Sequence, residues 1–125
     1  MRHRRHYTLE QASAALPWVG ERLAAMRAAR ERLTDEEARE ALSTAAPTNG
    51  GGKPGVQVGE AFLELRNGAA AFDALDIVLR DLDRGLIDFP SIRDDREVYL
   101  CWIDGEDEIA FWHELDAGYA GRQEL

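Results

Sequence analysis

The pattern that most constrains this chain lies between residues 65 and 86, where apolar or small residues recur at alternating steps of three and four. Such a seam is typical of helices that pack side by side at a shallow angle. We therefore predict a helix over about 60–84 that needs a partner helix along its length. Its seam residues are Leu65, Gly68, Phe72, Leu75, Leu79, Leu82 and Leu86.

The partner helix is predicted upstream in the chain. Thr8–Gln11 matches a capping box, in which a hydroxyl and a side-chain amide satisfy the first backbone N–H groups of a helix. Pro17 has no N–H and should interrupt the helix, so we expect a short helix over 9–15 and a long one over about 17–43. Close approach to Gly68 is favoured by small residues on this long helix, namely Ala24, Ala25, Ala28 and Ala29.

Two segments lack the composition of helices or strands. Residues 1–6 are basic and predict a flexible arm, and residues 47–58 predict a Gly-rich linker between the long helices. With 125 residues the chain has the length of a single domain, 1–125.

Charge and cysteine content exclude several classes of function. The net charge is −9, which opposes contact with phosphates and argues against nucleic-acid binding. No stretch reaches the roughly 20 apolar residues of a membrane span. Cys101 is the one cysteine and cannot form an intrachain disulfide, so we expect a reducing compartment, the cytoplasm.

The C-terminal third predicts a β-hairpin over 97–113. Residues 86–96 look like an irregular connection, and Glu97–Ile103 is rich in strand-forming residues. Asp104-Gly105 is a turn signal, and the returning strand is Glu108–His113. Two turn lengths stay open, but both place His113 on the face of Val98, Leu100, Trp102 and Phe111, opposite Tyr99, Cys101 and Trp112.

The expected fold is therefore α+β and mainly helical: a long antiparallel helical hairpin with a C-terminal two-stranded β-hairpin. Apolar strips on the helices exceed what so small a hairpin covers. This favours a non-catalytic interaction module that self-associates through its helices into a homo-oligomer.

The alternative function is a divalent-metal or acid–base site near the C-terminal hairpin. Residues 97–125 hold eight acidic residues and one arginine. Carboxylates with one imidazole suit Zn, Fe or Mn. The candidate metal or acid–base residues are Asp88, Glu97, His113, Glu114 and Asp116, and the candidate anion-binding residues are Arg93, Arg96 and Arg122.

A structural role is open for the same residues. His113 would end the core face of the hairpin and bond to a backbone carbonyl, while Glu114 and Asp116 would be solvated or paired with the arginines. Cys101 stands between Leu100 and Trp102 and is interpreted as a small buried hydrophobe rather than a nucleophile.

Six segments of the chain resemble the bacterial domain-of-unknown-function family 2203. The resemblance covers nearly the whole chain and is most specific over 85–122. It implies a small soluble protein with helices and a terminal hairpin, and it implies no established activity. The segments are Tyr7–Glu10, Leu16-Pro17, Gly85–Pro90, Arg96–Trp102, Phe111–Asp116 and Gly118–Arg122.

Overall fold

The computed structural model describes residues 1–43 and 56–125, which form an α+β fold. Most of the predicted linker, 47–58, lies outside the described residues, and its last three residues begin a helix. The helices are α1 (Leu9–Arg30), α2 (Asp35–Leu42) and α3 (Val56–Ala74). The strands are β1 (Val78–Asp81), β2 (Leu86–Arg93), β3 (Arg96–Ile103), β4 (Phe111–Glu114) and β5 (Gln123–Glu124), with a 3₁₀ turn at Tyr119–Gly121.

The strands form one antiparallel sheet in the order β1-β2-β3-β4-β5, so the predicted two-stranded hairpin is wrong. One face of the sheet carries the apolar side chains that share a core with the helices. The opposite face carries the polar residues described below. The core side chains of the sheet are Ile87, Phe89, Val98, Leu100, Trp102 and Trp112.

α1 begins where the capping box predicts. The Gln11 N–H donates to Thr8 Oγ1, and the Thr8 N–H donates to the Gln11 side chain. The predicted break at Pro17 is wrong, because α1 continues through it to Arg30. Pro17 and Ser13 are both exposed, so water can reach the Ser13 carbonyl that the proline leaves without a donor.

The predicted long helix over 17–43 is divided in two. Thr34 and Glu37 form a second capping box, which starts α2 after a turn at the end of α1. This T-x-x-E signal is present in the sequence and outweighs the helix-forming residues around it.

The predicted helix over 60–84 is half correct. Leu65, Gly68 and Phe72 are buried on α3, but the helix ends at Ala74. Asp76 then adopts a left-handed φ of 58°, which an α-helix does not tolerate. The later leucines of the seam belong to β1, its turn and β2. The long helical hairpin is therefore replaced by three shorter helices on a sheet.

Gly68 contacts α1 as closely as the seam predicts. A Cβ atom at this position would lie 2.5 Å from Met26 Cγ.

We expect Gly68→Val to lower the free energy of unfolding by about 2 kcal/mol through overpacking. Gly20→Ala is the matched control on α1, where an added Cβ meets nothing within 4 Å, and it should raise that free energy by about 0.5–1 kcal/mol. Urea denaturation measures both, and equal effects would contradict this packing.

The predicted irregular connection at 86–96 is wrong, because it forms β2 and the turn into β3. Pro90 is tolerated because β1 pairs with β2 only as far as Asp88. At the end of the hairpin, Asp94 and Asp95 adopt positive φ values of 51° and 61°. Such values fit a two-residue turn of the primed type.

The predicted faces of the last strand are also wrong. Leu100 pairs with Trp112, and Cys101 pairs with Phe111. The seven residues between β3 and β4 shift the register by one residue relative to the expected four-residue turn and by three relative to the two-residue turn, and an odd shift reverses the faces of β4. His113 therefore shares a face with Cys101 and with Tyr99, its partner in the ladder.

Both long helices, α1 and α3, bury a strip of apolar side chains within this chain. Val19, Leu23 and Met26 on α1 and Leu65 and Phe72 on α3 are at most 1% exposed. The five-stranded sheet covers more of these strips than a two-stranded hairpin would, while Leu9 of α1 and Leu63 of α3 remain 45% and 56% exposed. The oligomeric state itself stays a prediction. Among the described residues, no helix is long and apolar enough to cross a membrane.

Candidate metal centre

Three neighbouring strands bring a carboxylate, a thiol and an imidazole together on the polar face of the sheet. Asp88 of β2 pairs with Cys101 of β3, and His113 of β4 pairs with Tyr99, two residues from Cys101. The ligand atoms of Asp88, Cys101 and His113 all lie within 4.8 Å of one another. These three residues are 2%, 0% and 1% exposed, so the cluster is closed to bulk water.

Hydrogen bonds hold the imidazole and the carboxylate in place. His113 Nδ1–H donates to the Glu114 carbonyl at 2.7 Å, and Nε2–H donates to Asp88 Oδ1 at 3.0 Å. Arg80 Nε–H donates to Asp88 Oδ2 at 2.9 Å. Both carboxylate oxygens therefore accept a charge-assisted hydrogen bond.

The two groups form an ion pair. Burial alone would lower the pKa of His113, but its hydrogen bonds to Asp88 and the Glu114 carbonyl outweigh burial and raise that pKa. Burial would raise the pKa of Asp88, but hydrogen bonds from His113 and Arg80 lower it. Within the pair, the shared proton therefore resides on His113 rather than on Asp88.

The thiol beside this pair stays protonated when it has no other partner. Burial, and the negative charge of Asp88, raise the pKa of Cys101 to about 12. A free thiol with such a pKa is a poor nucleophile, as the sequence predicts. Its sulfur nevertheless lies within 4.8 Å of a ligand atom of the imidazole and of the carboxylate.

Tyr99 separates the cluster from the N-terminal residues. Its ring centroid lies 5.4 Å from that of His113, and the guanidinium carbon of Arg80 lies 5.0 Å from the ring on which it stacks. The His3 ring meets Tyr99 edge-on, and His3 Nε2 is 2.5 Å from the Tyr99 hydroxyl. Arg80 and His3 therefore cover the polar face next to the cluster.

Residues 1–6 lie against the sheet rather than forming a solvated arm. The backbone N–H groups of Arg2 and His3 and the His6 ring donate to the Glu97 carboxylate. His3 Nδ1–H donates to Asp76, which also accepts the backbone N–H groups of residues 4 and 5. The carboxylates of Glu97 and Asp76 thus accept the backbone N–H groups of residues 2–5, as a neighbouring strand would.

Glu97 makes the attachment of these residues pH-dependent. Burial would raise its pKa, but the hydrogen bonds from His6 and the backbone N–H groups of His3 and Arg2 lower the pKa from 4.5 to about 2. The side chain is 6% exposed. The stability it contributes is present above pH 4.5 and is lost as pH falls towards about 2.

We expect Glu97→Gln to lower the free energy of unfolding by about 2 kcal/mol at pH 7. The lowering of the Glu97 pKa from 4.5 to about 2 corresponds to about 3 kcal/mol before solvent screening reduces it. Glu114→Gln is the control, because Glu114 is 44% exposed and should cost about 0.5 kcal/mol or less. Chemical denaturation at pH 7 and pH 3 measures the effects. If Glu97→Gln loses as much stability on acidification as the parent, Glu97 is not the titrating group.

The other predicted site residues lie elsewhere. Glu114 points away from the cluster and pairs with Arg96, and Asp116 is 91% exposed and bonds to Arg2. Of the predicted anion-binding residues, Arg122 pairs with Glu106, and Arg93 stacks on Trp112. The structure therefore joins only Asp88 and His113 from the predicted metal set.

Sequence reasoning missed Cys101 and Arg80. Cys101 is two residues from Tyr99 in β3, so both side chains lie on the same face of the sheet. The correct register of β4, which pairs His113 with Tyr99, would therefore have placed Cys101 on the face of His113. Arg80 was assigned to a helix, and nothing in its local sequence marks it as the partner of Asp88.

Comparison with known proteins gives one match. The family model described as "Uncharacterized conserved protein (DUF2203)" matches residues 5–125, essentially the whole chain. No curated protein and no solved structure gives a significant match.

Proposed function

Because the chain belongs to the DUF2203 family, whose description names no activity, we propose its function from the site: it binds a divalent transition-metal ion through Asp88, Cys101 and His113. One observation carries this proposal. Three chemically different ligand groups from three adjacent strands converge within 4.8 Å in a buried position.

The ligand types favour Zn²⁺ or a similar ion. Thiolate and imidazole suit Zn²⁺, Fe²⁺ and Co²⁺, whereas Mg²⁺ and Ca²⁺ prefer oxygen ligands. Bonds of about 2.0–2.3 Å in a tetrahedron set ligand atoms about 3.3–3.8 Å apart. The ligand atoms lie within 4.8 Å of one another, so they would move closer by about 1–1.5 Å at most, while His113 Nε2 and Asp88 Oδ1, at 3.0 Å, would move slightly apart.

The position of His113 supports the same proposal. Metal-bound histidines usually donate the second ring N–H to a carbonyl or carboxylate, and Nδ1–H of His113 donates to the Glu114 carbonyl. This leaves Nε2 facing Asp88 Oδ1, and two acceptor atoms at 3.0 Å require a proton or a cation between them. A metal ion can take the place of that proton.

The exchange conserves charge in the buried site. Without metal, the imidazolium and the thiol each hold a proton, and the carboxylate is ionised. When a dication binds, these two protons leave and two positive charges arrive, so the charge of the site does not change. A buried site tolerates such an exchange far better than the addition of a net charge.

The site offers three protein ligands, which leaves one tetrahedral position for water or a small molecule. Sites of this kind are typical of catalytic zinc, whereas structural zinc has four protein ligands. We place the protein in the cytoplasm, where a reducing environment keeps the single thiol available to the metal.

The test is metal content and metal-dependent stability. Protein purified without a metal-affinity tag should contain about one equivalent of metal per chain by elemental analysis. After removal of the metal, Zn²⁺ at 100 times its dissociation constant should raise the free energy of unfolding by about 2.7 kcal/mol. Protein without stoichiometric metal, whose stability is unchanged by Zn²⁺, Fe²⁺ or Co²⁺, would overturn the proposal.

A further inference from the structure

A cleft of about 370 Å³ lies between α3, β1 and the N-terminal residues, outside the metal cluster. Its volume falls in the range of small-molecule sites, about 300–1,000 Å³. Phe72, Ile77 and Leu82 are buried beneath it, and Leu79 and Leu42 extend its apolar wall. An apolar floor of this kind binds the apolar part of a ligand.

Arg80 supplies the positive charge at this cleft. It uses Nε for Asp88 and stacks on Tyr99, and its side chain is still 41% exposed. Within the described part of the chain, no acceptor pairs with the two terminal nitrogens of its guanidinium. These nitrogens form a planar fork that matches a carboxylate. The stacking on Tyr99 and the bond to Asp88 orient the fork in advance.

The acidic residues of the rim do not compete for this cation. Asp76 already accepts hydrogen bonds from His3, Arg4 and Arg5. Asp73 also lines the cleft, but it is exposed to solvent near the end of α3, and no hydrogen bond joins it to Arg80 among the described residues. The polar group best prepared for a ligand is therefore the guanidinium, beside an apolar floor.

We propose that this cleft binds a small carboxylate with a short apolar body, its carboxylate on Arg80 and its body over Phe72, Leu79 and Leu82. Binding does not depend on the metal, because the carboxylate uses the terminal nitrogens of Arg80 and leaves its Nε–H bond to Asp88 in place. The site is distinct from the metal centre: no proposed metal ligand lines the cleft, and Arg80 is the lining residue that bonds to one of them, Asp88.

Phenylacetate is the probe, and phenylacetamide is its uncharged counterpart. Both are titrated into metal-free ¹⁵N-labelled protein, and amide chemical shifts are followed by NMR. Phenylacetate should saturate with a dissociation constant on the order of 1 mM, as expected for a fragment of this size, and should shift the amides of residues 72 and 77–80. Phenylacetamide should bind at least about tenfold more weakly, because it lacks the charge that the guanidinium recognises.

Two variants separate the cleft from general anion binding. Arg80→Gln should weaken phenylacetate at least about tenfold, whereas Arg93→Gln, which alters an arginine on the other face, should leave binding unchanged. Equal binding of phenylacetate and phenylacetamide overturns the proposal without any variant, so a folding defect in Arg80→Gln does not decide it. Shifts that map outside the cleft also overturn it. Because no metal is present, either failure leaves the metal proposal standing.

Discussion

His113→Leu is expected to lower the free energy of unfolding of the metal-free protein by about 3–5 kcal/mol at pH 7. The change leaves the Asp88 carboxylate, whose side chain is 3% exposed, with Arg80 as its remaining ion-pair partner. The hydrogen bond from Arg80, which also lowers the pKa of Asp88, remains and still favours the ionised carboxylate, so the variant buries this charge with one partner fewer.

Asp88→Leu should cost less, about 1–2 kcal/mol, although it removes the same ion pair. Without the carboxylate, burial lowers the pKa of His113, and the imidazole becomes neutral at pH 7 at little cost. Arg80 is partly exposed and can turn towards water. Comparing the losses in the free energy of unfolding of the two single variants therefore shows which group costs more when it is buried without its partner.

The double variant Asp88→Leu/His113→Leu completes the cycle. It buries no charge in the cluster, so it should be more stable than His113→Leu, with a coupling of about 2 kcal/mol. Urea denaturation of the three variants and the parent at pH 7 measures this coupling. If the single effects add within about 0.5 kcal/mol, the two groups do not interact as the structure places them.

Cys101→Ser should weaken Zn²⁺ binding at least about 100-fold, or about 2.7 kcal/mol. Loss of an outer-shell partner typically costs 10–100-fold, and a thiolate ligand contributes more than an outer-shell partner. Serine keeps the small volume of the fully buried Cys101 but offers no thiolate. Calorimetric titration in two buffers of different ionisation enthalpy should show that the variant releases about one proton fewer per metal ion than the parent, because it lacks the thiol proton.

His6→Gln is the control for the cysteine variant. His6 bonds to Glu97 and belongs to the N-terminal residues, not to the metal cluster. Its replacement should leave Zn²⁺ affinity within about twofold of the parent value, since it removes no ligand. If Cys101→Ser binds as tightly as the parent and His6→Gln does not, the metal sits near the N-terminus and the assigned site is wrong.

Local signals in the sequence predicted the elements that depend on a few neighbouring residues. The Thr8 capping box, the close approach at Gly68 and the strand over Glu97–Ile103 are all present in the structure. The Thr34 capping box was equally readable. Such features depend on hydrogen bonds and steric contacts within one or two turns, or on composition alone.

The seam beyond Ala74 shows where periodicity fails. Leu75, Leu79, Leu82 and Leu86 keep helical spacing, yet they lie on a turn, two strands and the hairpin between them. A short apolar run fits either structure, and pairing with β2 decides in favour of a strand. Sequence alone cannot show that pairing.

The candidate site depends on register, which a single sequence specifies poorly. Asp88 and His113 are 25 residues apart and meet only because β3 lies between their strands. A shift of one residue in β4 moves His113 to the opposite face from Cys101, as the expected hairpin did. The sequence therefore predicts two of the three proposed ligands, Asp88 and His113. It does not predict Cys101, because the expected register places Cys101 on the opposite face from His113.

Absorption spectroscopy of the Co²⁺-substituted protein tests the central claim most directly. Co²⁺ added to metal-free protein should produce a thiolate-to-cobalt charge-transfer band in the near ultraviolet, together with the visible bands of a tetrahedral ion. Both should saturate at one equivalent, and Cys101→Ser should lack the charge-transfer band. A parent protein that shows no such band, or a band that survives in Cys101→Ser, would contradict a metal site built on Asp88, Cys101 and His113.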